Sequence, residues 1–190
     1  MYNFFGLLLK FFGWKVVVTV AEPTSSVICV APHTSNWDFV IAEFLYKSLG
    51  RKSHFLMKKS WFFFPLGSLF SSIGGVPVDR SKPTSITEQM ANEFKKHDHF
   101  HLAITPEGTR SLAKKWKTGF YYIALKANVP IQLAYIDYSK KEVGITEVLY
   151  PKGDEIADMS KIYDFYRNRT GYHAQKFYVP TVHQKKVANI

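Results

Sequence analysis

Residues 27–38 read Val27-Ile28-Cys29-Val30-Ala31-Pro32-His33-Thr34-Ser35-Asn36-Trp37-Asp38. The first five are all apolar and stop at a proline, which is typical of a buried β-strand. From residue 36 to residue 49 the apolar side chains recur three and four positions apart, and this spacing predicts an amphipathic helix. Gly50 follows where a helix C-cap belongs. The stretch therefore predicts a strand, a loop and a helix in direct succession.

The same alternation continues along the chain. Short apolar runs predict strands at 16–20, 54–57, 75–79, 100–105, 131–136 and 143–149. Helical patterns occur at 61–72, with a kink or start near Pro65, and at 119–127 and 158–169. Ser85 and Glu88 match a capping box, which predicts the start of another helix. Strands that alternate with helices predict a single α/β domain, in which helices flank a mostly parallel central sheet. In such sheets, functional residues gather in loops after the carboxyl ends of strands.

Composition excludes several classes of protein. The 190 residues include 46% hydrophobic residues, which excludes a disordered chain, and the single cysteine excludes an internal disulfide framework and a four-cysteine zinc site. Cys29 lies inside a predicted buried strand, where a packing role is more typical than a nucleophilic one. A single cysteine favours a reducing, cytoplasmic environment.

The first twenty residues predict an N-terminal amphipathic hydrophobic segment. They carry many Phe and Leu residues, interrupted by Lys10 and Lys15, and no apolar stretch of the chain reaches the length of about 18 residues that spanning requires. Such a segment can lie in the headgroup layer of a membrane. We therefore divide the chain into an interfacial segment at 1–20 and a domain at 21–190. The alternative is a first helix packed on the core, followed by the strand at 16–20.

Positive charge is clustered, since 25 Lys and Arg stand against 15 Asp and Glu for a net charge of +10. Acid-free basic clusters run from Lys47 to Lys59, from Arg110 to Lys117 and from Arg167 to Lys186. Such clusters attract anionic bilayers and nucleic acid alike, and a solvated basic face is a third interpretation. The aromatic run at 61–64 could line an apolar groove or meet a membrane, although core packing is the more frequent role of such runs.

His33 and Asp38 are the first candidates for chemistry. His33 follows the predicted strand, and Asp38 falls in the first helical turn, from which its carboxylate can reach back toward the imidazole. A carboxylate on one ring nitrogen fixes the tautomer and leaves the other nitrogen as a general base. The pair resembles two thirds of a serine-type triad without the serine, so a substrate hydroxyl could be the nucleophile. The alternative is a helix cap with an aspartate placed for the helix dipole.

The second candidate follows another predicted strand, at Thr105-Pro106-Glu107-Gly108-Thr109-Arg110-Ser111. Gly108 permits a sharp turn, and the planar guanidinium of Arg110 suits a phosphate group. Thr109 and Ser111 add hydroxyl donors, while Glu107 could orient the arginine or hold an acceptor hydroxyl. The alternative is a tight turn with an exposed ion pair.

Two other groups are weaker candidates. Arg80 follows a strand that begins with glycines at 74–75, and its alternative role is a surface salt bridge. The run His97-Asp98-His99-Phe100-His101 looks like a metal cluster. His97 at a helix C-terminus is favourable through the dipole alone, and we predict no metal site.

Four motifs of this chain occur in the order of one enzyme family. They are His33-x-x-x-x-Asp38, the glycine-to-arginine segment from Gly74 to Arg80, Pro106-Glu107-Gly108-Thr109-Arg110-Ser111, and Val129-Pro130-Ile131. With these motifs the chain resembles the glycerolipid acyltransferases of the lysophosphatidate acyltransferase type.

The resemblance implies a membrane-surface O-acyltransferase. His33, oriented by Asp38, would remove the proton from an acceptor hydroxyl, whose oxygen attacks the thioester of acyl-CoA or acyl-carrier protein. The acceptor's glycerol phosphate would be held by Arg80, Glu107, Gly108 and Arg110, with help from Thr109 and Ser111. The implied product is phosphatidic acid, made from 1-acylglycerol-3-phosphate in phospholipid biosynthesis. The acyl thioester would be a co-substrate, and no cofactor or metal is expected.

The resemblance also implies partners and a location. The expected partners are an anionic membrane surface, a lysophospholipid and the acyl donor, but no nucleic acid. The expected location is cytoplasmic, peripheral or monotopic on the inner face of the membrane. Two alternatives stay open: an acyltransferase for another lysolipid or lipid hydroxyl, and a non-enzymatic basic module that binds membranes or nucleic acid. The enzymatic interpretation requires His33 and Arg110 to open into one shared hollow.

Overall fold

A computed structural model describes residues 3–79, 81 and 85–181. Arg80, Lys185 and Lys186, which the sequence analysis singled out, lie outside the described residues. The described strands are β1 (Lys15–Val18), β2 (Ser26–Ala31), β3 (His54–Lys58), β4 (Gly75–Val78), β5 (His101–Ile104), β6 (Ile131–Asp137) and β7 (Glu142–Leu149). The described α-helices are α1 (Phe4–Phe11), α2 (Asn36–Ser48), α3 (Leu66–Ser72), α4 (Ile86–Phe94), α5 (Gly119–Ala127) and α6 (Glu155–Tyr166).

The strands form one sheet in the order β1-β7-β6-β2-β5-β3-β4. Neighbouring strands are parallel except β6 and β7, which are antiparallel. The four residues between β6 and β7 are enough for a hairpin, whereas a parallel pair needs a long crossover. The predicted α/β domain with a mostly parallel sheet is therefore confirmed.

The centre of the sheet, at β2 and β6, is buried on both faces. The side chains of Val27 and Cys29 join a core with α4, α5 and α6, while those of Ile28 and Val30 join a second core with α1 and α2. Because β2 has helices on both sides, its sequence is continuously apolar rather than alternating. Cys29 is fully buried, and burial raises the pKa of its thiol, which agrees with the predicted packing role.

Helix α1 packs on α2 and leaves an apolar face exposed. Leu9 is buried, and the ring of Phe5 lies 5.5 Å from that of Phe44. The exposed apolar side chains at this end of the chain are Phe4, Leu7, Phe11 and Phe12. Residues 4–18 thus form a helix on the core followed by a strand, as the alternative interpretation predicts. The interfacial role of residues 1–20 stays a prediction, and within the described ranges no helix is long and apolar enough to span a bilayer.

One helix begins where a kink or start was predicted, and another differs from its predicted start. In the region 61–72, α3 begins after Pro65 and is preceded by a 3₁₀ turn at Lys59–Trp61. The residue before a proline avoids helical backbone angles, so the helix restarts at the proline. Helix α6 begins at Glu155 rather than 158, because the Asp154 side chain accepts a hydrogen bond from the Ala157 N–H at 3.0 Å and caps it.

Candidate active site

The candidate site lies where the carboxyl ends of the parallel strands meet. Strands β3 and β5 form two residue pairs, His54 with Leu102 and Phe55 with Ala103. Beyond these pairs, the carboxyl-terminal parts of the two strands are not hydrogen-bonded to each other. A cavity of about 760 Å³ is present at this place, and Leu56, Ile104 and Thr105 are among its lining residues. It also reaches residues of α2 and of the loops after β2 and β5. The sheet topology therefore brings the two candidate loops to one cavity.

His33 and Asp38 face each other at one side of this cavity. The imidazole Nδ1 lies 3.7 Å from the Asp38 Oδ2, beyond ordinary hydrogen-bond length, and the two side chains are 15% and 1% exposed. Ser35 caps α2 by accepting a hydrogen bond from the Trp37 N–H. This cap begins the helix close to His33 and places Asp38 in its first turn. The carboxylate therefore acts on the imidazole through its charge.

The Asp38 carboxylate is fixed by three donors. Its Oδ2 accepts hydrogen bonds from the Thr34 and Ser35 N–H groups at 2.6 and 2.8 Å, and its Oδ1 accepts one from the Tyr138 hydroxyl at 2.7 Å. Asp38 is thus both the helix-capping residue of the alternative interpretation and the charge beside His33. Hydrogen bonds to an ionised carboxylate stabilise that charge, so the negative group beside the imidazole is held in place.

The electrostatic surroundings keep His33 neutral. Burial is the largest cause that lowers the pKa of the imidazole below 6.5, and the nearby Arg110 cation lowers it further, while the Asp38 charge opposes both. At pH 7 the imidazole therefore has a free lone pair. A neutral imidazole at a cavity wall can accept a proton from a bound hydroxyl.

Glu107 joins the two loops from behind the cavity. Its side chain is 3% exposed, and its Oε1 accepts a hydrogen bond from the His33 N–H at 2.7 Å. Its other oxygen is buried and has no donor among the residues that the structure describes. Burial, together with the Asp38 charge, raises the pKa of Glu107 to about 7 despite the His33 hydrogen bond. Glu107 therefore holds the backbone of His33 in place.

Gly108 shapes the cationic wall of the cavity. Its φ of +65° is a left-handed conformation, and a Cβ at this position would lie 2.8 Å from the Lys117 Nζ. The Lys117 N–H donates a hydrogen bond to the Pro106 carbonyl at 2.7 Å, which holds the lysine over the turn. Lys117 and Arg110 both line the cavity. Two cations beside a neutral imidazole favour a substrate with a negative group.

The structure brings most of the predicted site residues together. His33, Asp38, Gly108, Thr109 and Arg110 line the same cavity, so the expected shared hollow is present. Glu107 and Ser111 are not among its lining residues: the former is buried behind His33, and the latter is exposed and donates its N–H to the Thr109 Oγ1 at 3.2 Å. Arg80 lies outside the described residues. The direct substrate contacts predicted for these three residues stay predictions.

Two residues of the site were missed in the sequence: Tyr138, which holds Asp38, and Phe39, which lines the cavity from the first turn of α2. A third residue, Lys117, lies over Gly108. Tyr138 directly follows β6, so the rule that function gathers at strand ends could have pointed to it. Lys117 belongs to a basic cluster that the sequence showed, but its position over the turn depends on a contact between distant residues.

The histidine-rich run at 97–101 is dispersed. His97 lies on the surface beside Glu93, with 3.3 Å between Nε2 and Oε1, whereas His101 is buried and its Nδ1 lies 2.8 Å from the Ser26 hydroxyl. Within the described part of the chain, no group of three or more His, Cys, Asp or Glu side chains could hold a metal ion.

A family model described as Acyltransferase matches residues 15–136. The chain belongs to the acyltransferase family. The crystal structure of the 1-acyl-sn-glycerophosphate (LPA) acyltransferase PlsC from Thermotoga maritima is similar, with a TM-score of 0.56 and 18% identity over 88% of this chain and 78% of that chain. At this identity the likeness shows a shared fold. No curated protein matches the sequence significantly. Family and fold thus agree with the resemblance, and the protein is an acyltransferase.

Proposed function

We propose that this acyltransferase transfers a fatty acyl group from an acyl thioester to the hydroxyl of 1-acylglycerol-3-phosphate, which gives phosphatidic acid. One observation supports the proposal above the others. The neutral imidazole of His33 and the guanidinium of Arg110 line one cavity, as a reaction that needs both a base and a phosphate-binding group requires. The buried Asp38 carboxylate beside the same imidazole favours a catalytic role for His33 over a binding module without chemistry.

The proton transfer can be assigned to one ring nitrogen. We assign the ring hydrogen to Nδ1, because the Asp38 carboxylate lies 3.7 Å from this nitrogen and its charge favours a proton there, and this leaves the lone pair on Nε2. Nε2 takes the proton of the acceptor hydroxyl while its oxygen forms a bond to the thioester carbonyl carbon. The C–S bond then breaks, and the imidazolium returns the proton to the leaving thiolate. No acyl group is attached to the enzyme at any step.

Arg110 and Lys117 are the proposed partners of the acceptor's phosphate. Gly108 leaves room for Lys117 to lie close to the turn, and Thr109 adds a hydroxyl at the same wall. A guanidinium binds two phosphate oxygens at once, and this fixes the distance from the phosphate to the reacting hydroxyl. Arg80 and Ser111 are proposed as further contacts with the acceptor.

The remaining cavity wall is largely apolar and suits the hydrocarbon of an acyl chain. Its lining residues include Phe39, Ala42 and Leu45 of α2 and Ile28 and Val30 of β2. Ligand sites of this kind combine an apolar lining with a few placed polar groups. We place the donor's acyl chain here, with its thioester at His33, and the donor is acyl-CoA or acyl-carrier protein.

We propose that the enzyme works at the cytoplasmic face of an anionic membrane. The exposed face of α1, formed by Phe4, Leu7 and Phe11, would lie in the headgroup layer. The net charge of +10 supports attraction to anionic lipids. Both the acceptor and the product would then stay in the bilayer.

Arg110→Ala is expected to raise the KM for 1-acylglycerol-3-phosphate by roughly 10- to 100-fold, because a charged hydrogen-bonding partner of the phosphate is lost. The KM for monoacylglycerol, which has no phosphate, should change by less than about twofold. The assay is thiol release from acyl-CoA or acyl-carrier protein, with each acceptor in detergent.

Lys114→Ala is the matched control, because Lys114 is an exposed cation on the same loop that does not line the cavity. Equal kinetics for the Arg110 variant and the wild type would contradict the phosphate contact. Turnover of another lysolipid in preference to 1-acylglycerol-3-phosphate would identify a different acceptor.

A further inference from the structure

We propose that the segment after β3 is a second membrane contact, which binds a bilayer containing anionic phospholipids. The lipid-contact face, as we call it, consists of Trp61, Phe63, Phe64, Leu66, Leu69 and Ile73. It is separate in sequence from the N-terminal segment and includes no residue that lines the cavity. The inference deepens the proposed function and rests on it, because it defines how the cavity is presented to lipid.

The lipid-contact face is exposed to an extent that is unusual for large apolar side chains. Phe64 is 92% exposed, Phe63 57% and Trp61 55%. The segment nevertheless has internal structure, since the Gly67 N–H donates to the Phe63 carbonyl at 2.7 Å and the Phe70 ring lies 6.1 Å from the Trp61 ring. Single exposed apolar residues are common, but six within 13 residues mark an interaction surface.

The charge around this face selects the occupant. Lys58 and Lys59 come directly before this segment, and the sequence has no Asp or Glu between Glu43 and Asp79. Lys59 pairs with Asp79 at 3.3 Å, and Lys58 is exposed at the end of β3. Lysines beside aromatic side chains are typical of segments that lie in an anionic headgroup layer. A second copy of this basic chain would instead bring like charges together.

The position of the face connects it to the cavity. Strands β2, β5 and β3 are parallel, so the residues that follow β3 lie at the same edge of the sheet as His33 and Arg110. Phe39 and Phe55 both line the cavity, and their rings lie 5.1 Å apart between α2 and β3. A bilayer bound to the lipid-contact face therefore lies beside the cavity. A lipid acceptor could then enter without leaving the membrane.

The test measures binding to sedimented vesicles of phosphatidylcholine alone and of phosphatidylcholine with phosphatidylglycerol. Phe64→Glu should weaken binding to the anionic vesicles at least about tenfold, because it places a charge among apolar side chains at the surface.

Ile156→Glu is the matched control. It makes the same charge change at an exposed apolar residue of α6, which follows β7 and lies toward the opposite edge of the sheet. Its binding should stay within about twofold of the wild type. Thermal melting checks that both variants are folded.

Several outcomes would overturn the proposal. One is equal vesicle binding by Phe64→Glu and the wild type, and another is an equal loss in Ile156→Glu. Equal binding to both vesicle types would show that binding does not require anionic lipid. A wild-type dimer on size exclusion that Phe64→Glu makes monomeric, with vesicle binding intact, would assign the face to a second copy.

The binding measurement needs no turnover, so it is independent of the proposed acceptor. Protein that binds vesicles through Phe64 but transfers no acyl group to 1-acylglycerol-3-phosphate would refute the proposed function and leave the lipid-contact face standing. Protein that makes phosphatidic acid, with a Phe64→Glu variant that binds vesicles normally, would refute the lipid-contact face alone.

Discussion

His33→Ala is expected to lower the rate of acyl transfer by roughly 100- to 10,000-fold, the usual contribution of a general base. Among the described residues that line the cavity there is no second histidine. The two carboxylates of the cavity are held by donors: Asp38 is 1% exposed and accepts three hydrogen bonds, and Glu43 accepts one from the Ser53 hydroxyl at 3.0 Å and pairs with Lys47. The variant should still bind the phosphorylated acceptor, since Arg110 and Lys117 are unchanged. The measurement is thiol release with acyl-CoA and 1-acylglycerol-3-phosphate, followed to long times.

His97→Ala is the control for a histidine removed elsewhere, because its side chain lies at the surface beside Glu93. It should keep wild-type activity, and both variants should melt within a few degrees of the wild type. If His33→Ala retained a tenth or more of the activity, the proton would have to go to another group.

The pH profile gives a second measurement on the same residue. Because burial and Arg110 lower the pKa of His33, the imidazole stays neutral from high pH to below 6.5. The kcat/KM for a short-chain, detergent-dispersed acceptor should therefore be constant near pH 7 and fall only as the pH drops through the lowered pKa. A decline that begins well above pH 6.5 would show that His33 is protonated more easily than its surroundings predict.

The fold was largely predictable because the patterns of apolar residues that specify its strands and helices lie within short stretches of sequence. The continuous apolar run of β2 requires cover on both faces, and the sheet indeed has helices on each side. The predicted start of α6 was wrong by three residues, because Asp154 caps the helix by accepting a hydrogen bond from the Ala157 N–H. The sequence alone does not show which of the polar residues near this point is the cap. The antiparallel β7 depends on the short turn after β6, which the alternation of strands and helices does not specify.

The sequence located the two loops of the candidate site but not the directions of their side chains. The strand-end rule locates the loops of His33 and Arg110, since parallel strands bring their carboxyl ends to one edge. The same rule cannot say which way a loop side chain points. Thr105 and Gly108 on either side of Glu107 line the cavity, yet the Glu107 carboxyl is buried and accepts a hydrogen bond from the His33 N–H. Tyr138 is 100 residues from Asp38, so their hydrogen bond depends on the order of strands in the sheet.

Glu107→Gln is expected to stabilise the protein at pH 8 by up to about 3 kcal/mol, while its stability at pH 5 stays close to that of the wild type. The pKa of Glu107 is raised from 4.5 to about 7, so the native state binds this proton more tightly than the unfolded state. Stability that depends on the proton is present at low pH and is lost as the pH rises from about 4.5 through 7. A shift of this size corresponds to about 3 kcal/mol. Glutamine is neutral throughout, and its oxygen can still accept the His33 N–H.

The measurement is the free energy of unfolding in urea for both proteins at pH 5 and pH 8. Every other titrating group is common to the two, so the change in their difference with pH isolates position 107. Glu107→Ala is the control: it loses the acceptor for the His33 N–H and should be less stable than Glu107→Gln at both pH values. Wild-type and Glu107→Gln curves that run parallel from pH 5 to pH 8 would show that the carboxyl has an ordinary pKa.

The activity of the same variant separates two roles for Glu107. If the residue acts by holding the His33 backbone, Glu107→Gln should keep most of its turnover, because the hydrogen bond at 2.7 Å is retained. If the carboxylate itself contacts the acceptor, as the family resemblance implies, turnover should fall although the protein is more stable at pH 8. The burial of the side chain favours the first result. A carboxyl that lowers stability at neutral pH and has no role in turnover would have no advantage over glutamine at this position. Loss of activity in a variant that is more stable than the wild type would therefore be direct evidence that the carboxylate contacts the acceptor.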